Sequence, residues 1–237
     1  MTHPSFRDML VRFWRSDPGL SAFLTLLILS ALVLPPLVFV WGFGEILDDI
    51  AFSLLLIGGI AAGSERTRNL VVMAVVIGIA VVLHWAARTT TSTLLLQWQA
   101  LFVSLSFGML TLVVLGQVFR DGPVTYHRIL GAVAAYLLLG VTWAAAYKLV
   151  ALHFPDAFTG PVGRGKLAMD SWMYFSYATL STAGYGDIVA QHPVARSLAV
   201  TEALVGQLYP AILIARLVSQ EVQDRGNRNN GQSSSSS

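Results

Sequence analysis

Long apolar runs separated by short polar segments make up most of the chain. Six runs reach or approach the roughly 20 residues that an α-helix needs to cross the hydrocarbon core of a bilayer. They are residues 20–40, 46–62, 70–87, 94–119, 129–152 and 194–218. The second run is the shortest, because Asp48 and Asp49 leave only residues 50–62 uninterrupted. The pattern predicts an all-α integral membrane protein with six transmembrane helices, the second of them short.

The composition agrees with a membrane protein and excludes several other classes. Of the 237 residues, 55% are hydrophobic and 12% are charged, about half of the ~25% charged fraction of soluble domains. The absence of cysteine excludes disulfides and cysteine-ligated metal sites. The 15 basic residues form no single block, which argues against a nucleic-acid partner. The five histidines lack the spacing of a zinc motif, so we do not expect an enzyme.

The positions of arginine and lysine predict the orientation of the helices. If the N-terminus is cytoplasmic, ten basic residues fall on the inner side and five on the outer side, as the positive-inside rule requires. We therefore expect a multi-pass protein of the plasma membrane, the inner membrane of a bacterium, with both termini in the cytoplasm. Residues 1–19 are expected to form a short interfacial helix or a frayed tail. Residues 220–237 are polar and end in five serines, which predicts a disordered tail.

The segment between the fifth and sixth runs has the pattern of a half-length helix followed by an extended strand. Residues 170–182 contain about ten aromatic and small residues, too few to span a bilayer. Ala-Gly-Tyr-Gly-Asp follows at 183–187, where two glycines end the helix and permit backbone angles that other residues avoid. Such a re-entrant segment is tolerated in a membrane only where protein buries it or it lines a water-filled path.

The backbone carbonyls of such a strand can replace the hydration shell of a cation. The glycines allow successive carbonyls to point to one axis, while the tyrosine points away and braces the strand from behind. The short helix presents its partially negative C-terminal end to a cation in the cavity. We therefore predict an ion-binding filter, the filter strand, that consists of Thr182, Ala183, Gly184, Tyr185 and Gly186.

Thr-Ala-Gly-Tyr-Gly-Asp at residues 182–187 resembles the potassium channel signature Thr-Val-Gly-Tyr-Gly-Asp. The resemblance extends over residues 129–222 and implies an outer helix, a pore helix, a selectivity filter and an inner helix, a pore domain at 128–219. It implies passive K⁺ permeation, with K⁺ bound at Thr182, Ala183, Gly184 and Tyr185. One strand supplies a quarter of a ring, so a homotetramer is expected. Other subunits and membrane lipids are the expected partners, with no cofactor and no soluble small-molecule substrate.

The resemblance also implies roles for residues around the filter strand. Tyr174 is expected to donate a hydrogen bond to Asp187 and to steady the outer end of the filter. Glu202 is the one acid well inside an apolar run, where a carboxylate is costly. It is expected to be buried and bonded to Ser176 or Thr179, or to be protonated, with a structural role favoured over ion binding.

The sixth run contains the candidates for a gate. Gly206 stands at the position of a hinge glycine in the resembled family, and Pro210 removes a backbone donor and should bend the helix. Close helix packing at Gly206 is an equal alternative to the hinge. Four residues are expected to line the pore, with the last two forming an apolar constriction: Gln207, Pro210, Ile214 and Val218.

The first four runs, residues 20–119, are predicted to form a scaffold, or a sensor of something other than voltage. Residues 94–119 contain no charged side chain, and a voltage sensor needs several to move through the field. Two alternatives to a potassium-selective channel stay open. Ala183 in place of the usual branched residue leaves a weakly selective monovalent cation channel possible. A subunit of a potassium transporter is less favoured, because such chains carry four pore loops.

Overall fold

The computed structural model of the chain describes residues 24–29, 44–63, 67–89, 92–120, 126–161 and 168–234. The interfacial helix or frayed tail predicted for residues 1–19 lies outside this part. Most of the first apolar run also lies outside it, and residues 24–29 of that run are helical.

From residue 44 onward, the described part forms six helices and two short strands. The first three helices are α1 (Gly44–Gly63), α2 (Thr67–Ala86) and α3 (Thr93–Val118). The remaining elements are α4 (Tyr126–His153), β1 (Phe158–Thr159), α5 (Ala168–Leu180), β2 (Val189–Ala190) and α6 (Pro193–Ser234). The protein is therefore mostly helical, and α5 is the half-length helix that the sequence predicts.

Three of the described helical stretches are long and apolar enough to cross a membrane. They are Thr93–Val118, Arg128–His153 and Pro193–Gln220. Two shorter apolar stretches lie in α1 and α2, at Asp49–Gly58 and Leu70–Ala86. These five stretches coincide with the second to sixth apolar runs, while the total of six crossings stays a prediction.

Helix α6 extends beyond the predicted transmembrane helix. We expected disorder over residues 220–237, but the helix continues to Ser234. Residues 220–225 read Gln-Glu-Val-Gln-Asp-Arg and include good helix formers. Adding residues to an existing helix avoids the unfavourable nucleation step. The expectation of a disordered tail is therefore corrected for the residues up to Ser234.

Helices α1 to α4 pack into one bundle, in which α3 runs along much of α4 and also contacts α1 and α2. A 2.9 Å hydrogen bond joins Thr111 of α3 to Thr142 of α4. Because Thr142 Oγ1 donates its proton to the Leu138 carbonyl at 2.7 Å, Thr111 is the donor in this bond. Five of the buried core side chains are Leu56, Ile77, Phe107, Leu110 and Leu138. The bundle therefore joins α1, α2 and α3 to α4.

A polar cluster links α1, α2 and α3. Asp49 Oδ1 lies 2.8 Å from His84 Nε2, and the other carboxylate oxygen pairs with Arg88 just after α2. Gln99 donates from its amide nitrogen to His84 Nδ1 at 3.1 Å, so the ring proton belongs on Nε2, where it bonds to Asp49. The imidazole also stacks on Phe52, with ring centroids 4.3 Å apart. The cluster pairs most of its polar groups, which would be costly to leave unpaired in an apolar bundle, while Gln99 Oε1 is buried without a hydrogen-bond partner among the described residues.

Helix α5 lies between α4 and α6 and contacts both. An aromatic cluster packs it in place, with the Phe158 ring centroid 4.7 Å from that of Trp172 and 5.6 Å from that of Phe175. Gly140 of α4 allows the Tyr177 ring to approach closely, because a Cβ at this position would overlap that ring. The Tyr177 hydroxyl donates to a carbonyl of α4 at 2.9 Å. These contacts fix the position from which the filter strand leaves α5.

Candidate functional site

The filter strand begins by folding back onto the C-terminal end of α5. The Thr182 N–H bonds to the Thr179 carbonyl at 3.0 Å, and the Gly184 N–H bonds to the Ala178 carbonyl at 3.1 Å. Thr182 has a φ of 60°, the left-handed conformation that commonly ends a helix. The strand therefore satisfies two carbonyls of the last turn of α5, and the Tyr136 hydroxyl of α4 donates to a third, that of Leu180, at 3.3 Å.

The backbone of the filter strand alternates in handedness. Thr182, Gly184 and Gly186 have φ values of 60°, 53° and 78°, while Ala183 and Tyr185 between them do not have positive φ. In a segment that alternates left- and right-handed residues, successive N–H groups gather on one side. The alternating sign of φ is compatible with a row of carbonyl oxygens on the opposite side, which a set of carbonyl ligands for a cation would need.

The glycines of the strand are needed for their backbone angles and not for space. A Cβ added at Gly184 or Gly186 would meet nothing within 4 Å. A β-branched residue such as Thr182 rarely adopts positive φ, at a cost of order 1–3 kcal/mol, and such outliers cluster at functional sites. The positive φ at Thr182 therefore places backbone strain at the start of the strand.

Every residue from 181 to 187 is exposed in the single chain, and Tyr185 is 72% exposed. The strand lies in a membrane-spanning domain, where exposed irregular backbone is tolerated only against protein or water. The exposed filter strand of a single chain is therefore expected to lie against other chains or against a water-filled path.

The outer end of the filter strand is held by a feature that sequence analysis missed. Strands β1 and β2 pair antiparallel, with Phe158 opposite Ala190. Gly160 follows β1 with a φ of 119°, and a Cβ there would overlap the Asp187 carbonyl oxygen. The Ile188 N–H bonds to Asp187 Oδ1 at 3.1 Å. The strand exit is thus attached to the loop that follows α4, and a Gly-Pro pair at 160–161 was the available signal.

Tyr174 lies beside Tyr185 of the filter strand. Its ring stacks on that of Tyr185, with centroids 6.0 Å apart and planes inclined by 9°. The structure therefore brings these two tyrosines together, while the hydrogen bond from Tyr174 to Asp187 stays a prediction.

Glu202 lies at the junction of the three pore-domain helices and is fully buried. The Ser176 hydroxyl of α5 lies 2.5 Å from Glu202 Oε1, and the Tyr147 hydroxyl of α4 lies 2.5 Å from Oε2. Ser176 also lies 2.7 Å from the Gly140 carbonyl. Of the two partners that the sequence offered, Ser176 makes the contact, while Thr179 bonds within α5. Tyr147 was not foreseen, because it lies 55 residues away.

Gly206 packs directly against the C-terminal end of α5. A Cβ at this position would overlap the carbonyl oxygen of Leu180, the last residue of α5. This placement matches the close-packing alternative, while the hinge role stays a prediction. Pro210 lies within α6, which is continuous through it. Tyr209 next to it donates to the Ala132 carbonyl of α4 at 2.8 Å and so ties α6 to the outer helix.

Three of the four residues expected to line the pore are exposed on α6. Gln207, Ile214 and Val218 are seven and four residues apart, which places them on one face of the helix. Pro210 is half-buried. This exposed face of α6 is available for contact with neighbouring chains or with a central path. The gate expected at Ile214 and Val218 stays a prediction.

Comparison with known proteins places the same part of the chain among ion channels. Residues 133–223 match a family model described as an ion channel. The matched part includes most of α4, all of α5, the filter strand and α6 as far as residue 223, while α1 to α3 lie outside it. The protein is thus a mostly helical membrane protein that carries a segment similar to ion channels.

Two curated proteins resemble part of the chain. The two pore potassium channel c of Oryza sativa subsp. japonica is 36% identical over 85 residues, which are 36% of this chain and 17% of that protein. Protein LctB of Bacillus caldotenax is 36% identical over 90 residues, which are 38% of this chain and 61% of that protein. The chain spans less than two thirds of the length of either relative.

Proposed function

We propose that this protein is a potassium-selective channel, in which four copies of the chain conduct K⁺ passively through a ring of filter strands. The observation that carries the proposal is the alternation of positive φ at Thr182, Gly184 and Gly186. It supports a row of carbonyl oxygens on one side of each strand. K⁺ would exchange its water shell for the carbonyls of residues 182–186 and pass in single file.

The exposure of the filter strand supports a tetramer. One strand offers ligands from one direction only, and a cation that has lost its water needs ligands around it. Closed rotational symmetry supplies them by repeating the same strand about an axis. The exposed apolar face of α6, which includes Leu204, Leu208 and Ile212, would contact the neighbouring chains.

Selectivity for K⁺ is supported by the Thr-Ala-Gly-Tyr-Gly-Asp sequence and by the likeness to a plant protein named as a potassium channel. The second candidate is a weakly selective monovalent cation channel. Ala183 favours it, because a small side chain fills less space behind the strand than the usual branched residue. Stacking of Tyr185 on Tyr174 favours the selective channel, since it braces the strand from the α5 side.

The scaffold does not suit voltage sensing. Helix α3, which corresponds to the fourth apolar run, contains no charged residue over Thr93–Val118. A charge that crosses the membrane field contributes ~2.3 kcal/mol per 100 mV, and α3 has none to move. We place the channel in the plasma membrane of a bacterium with both termini in the cytoplasm, from the distribution of basic residues.

The experiment that tests the proposal is a measurement of K⁺/Na⁺ permeability ratios on the purified full chain in planar bilayers. The wild type is expected to prefer K⁺ strongly. Tyr185→Ala should remove the ring that braces the filter strand and bring the ratio close to one. Tyr126→Ala is the matched control, because Tyr126 is similarly exposed but lies at the start of α4.

Equal permeability ratios in the wild type and in Tyr185→Ala would contradict the assignment of the filter. A wild type that passes K⁺ and Na⁺ equally, yet loses current in Tyr185→Ala, would favour the weakly selective channel. A monomeric or dimeric assembly in native mass spectrometry would remove the basis of the proposal.

A further inference from the structure

A small apolar crevice lies where the end of α3, the start of α4 and the second half of α6 meet. Its volume is about 80 Å³, and its lining includes Val118, Ile129, Val133 and Leu213. This is well below the ~300–1,000 Å³ of cavities that enclose drug-sized molecules. It suits a short stretch of hydrocarbon chain better than a compact polar ligand.

Two arginines from different helices also line the crevice. Arg128 of α4 donates to the Val118 carbonyl at 3.4 Å, and the Arg216 guanidinium of α6 lies 5.5 Å from the centroid of the Phe119 ring. None of the described residues that line the crevice is acidic. A guanidinium has five N–H donors, so contacts within the protein and with a bound anion are compatible.

The two arginines lie at the level of a membrane surface. Arg216 is 23 residues after Pro193, which corresponds to about 35 Å of helix. Arg128 is 25 residues before His153, or about 38 Å. A hydrocarbon core is ~30 Å thick, so helices that begin at the outer surface carry both guanidinium groups to the inner headgroup region. The apolar part of the crevice then extends from the arginines into the hydrocarbon.

We propose that this crevice binds an anionic phospholipid of the cytoplasmic leaflet, with its phosphate between Arg128 and Arg216 and part of an acyl chain against Val133 and Leu213. Guanidinium groups match the geometry of phosphate oxygens. Basic pockets between transmembrane helices on the cytoplasmic side suit such headgroups. The proposal rests on the membrane placement of α4 and α6 in the proposed function.

A lipid in this position would connect the scaffold to the inner helix. It would contact the last turn of α3, the first turns of α4 and the part of α6 between Ile214 and Val218, where the constriction is expected. Occupancy would therefore stabilise one arrangement of these three helix ends over others, because a ligand shifts an equilibrium by its difference in affinity.

The test measures binding to the detergent-solubilised full chain by native mass spectrometry, with three probes: phosphatidylglycerol, phosphatidylcholine and inorganic phosphate. Phosphatidylglycerol is expected to bind at least tenfold more tightly than the other two. Arg216→Gln and Arg128→Gln should each weaken its binding about fivefold, and the double variant about 30-fold. Arg196→Gln is the matched control, because Arg196 is exposed near the outer end of α6, and should bind as the wild type does.

A second pair of variants tests the apolar part of the crevice without changing charge. Val133→Trp should block the acyl chain and weaken phosphatidylglycerol binding. Leu112→Trp, at a residue of α3 that is also exposed, should leave binding unchanged. The two variants add the same side chain at exposed apolar positions, so they differ only in whether they fill the crevice.

Three results would overturn the proposal. Equal phosphatidylglycerol affinity in the wild type and in the double arginine variant would exclude the site, and phosphate binding as tight as lipid binding would exclude the acyl chain. A change of oligomeric size in Val133→Trp would assign the crevice to a second copy of the chain. Binding is measured without ion flux, so absence of K⁺ current in bilayers would overturn the proposed function and leave the lipid result standing.

Discussion

Thr182 occupies a region of backbone space that β-branched residues avoid, directly after the last turn of α5. Two glycines at alternate positions share its positive φ. At these glycines the space around a Cβ is empty, so the requirement lies in the backbone angle. The chemistry of the site therefore depends on main-chain conformation, and side chains act by holding that conformation.

Gly184→Ala is predicted to disturb the filter strand through its backbone angle. An alanine at a φ of 53° is strained by roughly 1–2 kcal/mol, so the strand should relax and the K⁺/Na⁺ permeability ratio should fall. Gly78→Ala is the matched control, because a Cβ at Gly78 in α2 also meets nothing within 4 Å. It should keep the wild-type ratio and stabilise its helix slightly. Equal ratios in the two variants would contradict a requirement for the left-handed angle.

Glu202→Ala is predicted to destabilise the pore domain. It would leave the buried Tyr147 hydroxyl without its carboxylate partner, while the Ser176 hydroxyl keeps the Gly140 carbonyl. A buried unsatisfied group costs about 1–3 kcal/mol. The unfolding temperature of the detergent-purified protein should fall clearly, and Glu202→Gln should recover part of the loss because it retains an acceptor. Thr201→Ala, at the exposed neighbour, should change it little. A drop as large in Thr201→Ala would refute the role of the carboxylate.

At the scale of elements, α5 is held in place by α4, α6 and the loop after α4. Its own sequence does not specify these contacts. Gly140 of α4 admits the Tyr177 ring, and Gly206 of α6 admits the Leu180 carbonyl. The short β1–β2 pair attaches the strand exit to the loop after α4. A half-helix too short to cross the membrane is thus stabilised by packing, as most helices in proteins are.

Gly206→Ala is predicted to disturb the contact between α6 and α5. The added methyl would overlap a main-chain oxygen at Leu180, which can move only with the end of α5. Overpacking of this kind typically costs about 1–3 kcal/mol, measurable as a lower unfolding temperature and a weaker preference for K⁺. Gly116→Ala in α3, where a Cβ meets nothing within 4 Å, is the control. If neither variant changed the unfolding temperature or the preference for K⁺, the hinge would be the better explanation of Gly206.

Asp49→Ala is predicted to loosen the scaffold while the filter strand stays intact. The substitution would leave Arg88 and His84 without the carboxylate that pairs with them. The three side chains are only partly buried, so the expected cost is about 1–3 kcal/mol. A lower unfolding temperature with an unchanged K⁺/Na⁺ ratio is the expected result. Asp156→Ala, in the exposed turn after α4, is the matched control. Equal stability of the two variants would show that the polar cluster contributes little.

At the scale of the whole molecule, the chain divides into α1–α3, which lie outside the region of likeness to ion channels, and α4–α6, which lie mostly within it. Helix α3 lies along α4 and joins the two parts. Among the described residues, the contact between α3 and α4 is the largest connection between these two parts.

The open probability of the proposed channel is predicted to vary little between −100 and +100 mV. Helix α3 carries no charge, whereas one charge crossing the full field over that range would change the equilibrium by roughly a thousandfold or more. Single-channel recording in symmetric K⁺ measures this directly. A steep dependence on voltage would show that another part of the chain moves charge.

The sequence by itself determined the features that depend on neighbouring residues. Three of these features are local: apolar runs of bilayer length, a run too short to cross, and two glycines around a tyrosine. They predicted α3 to α6 and the position of the filter strand. Membrane insertion depends on the length and hydropathy of each segment, and positive φ depends on the residue that adopts it. For the same reason the sequence misplaced the end of α6, where helix propagation outweighed a polar composition.

Only the tertiary structure decided which distant groups meet. Tyr147 reaches Glu202 across 55 residues, and Asp49 reaches His84 across 35. Gly206 was compatible with a hinge or with close packing until the end of α5 was placed beside it. Such contacts join residues that no local pattern links, because helix packing brings side chains together by shape and not by spacing along the chain.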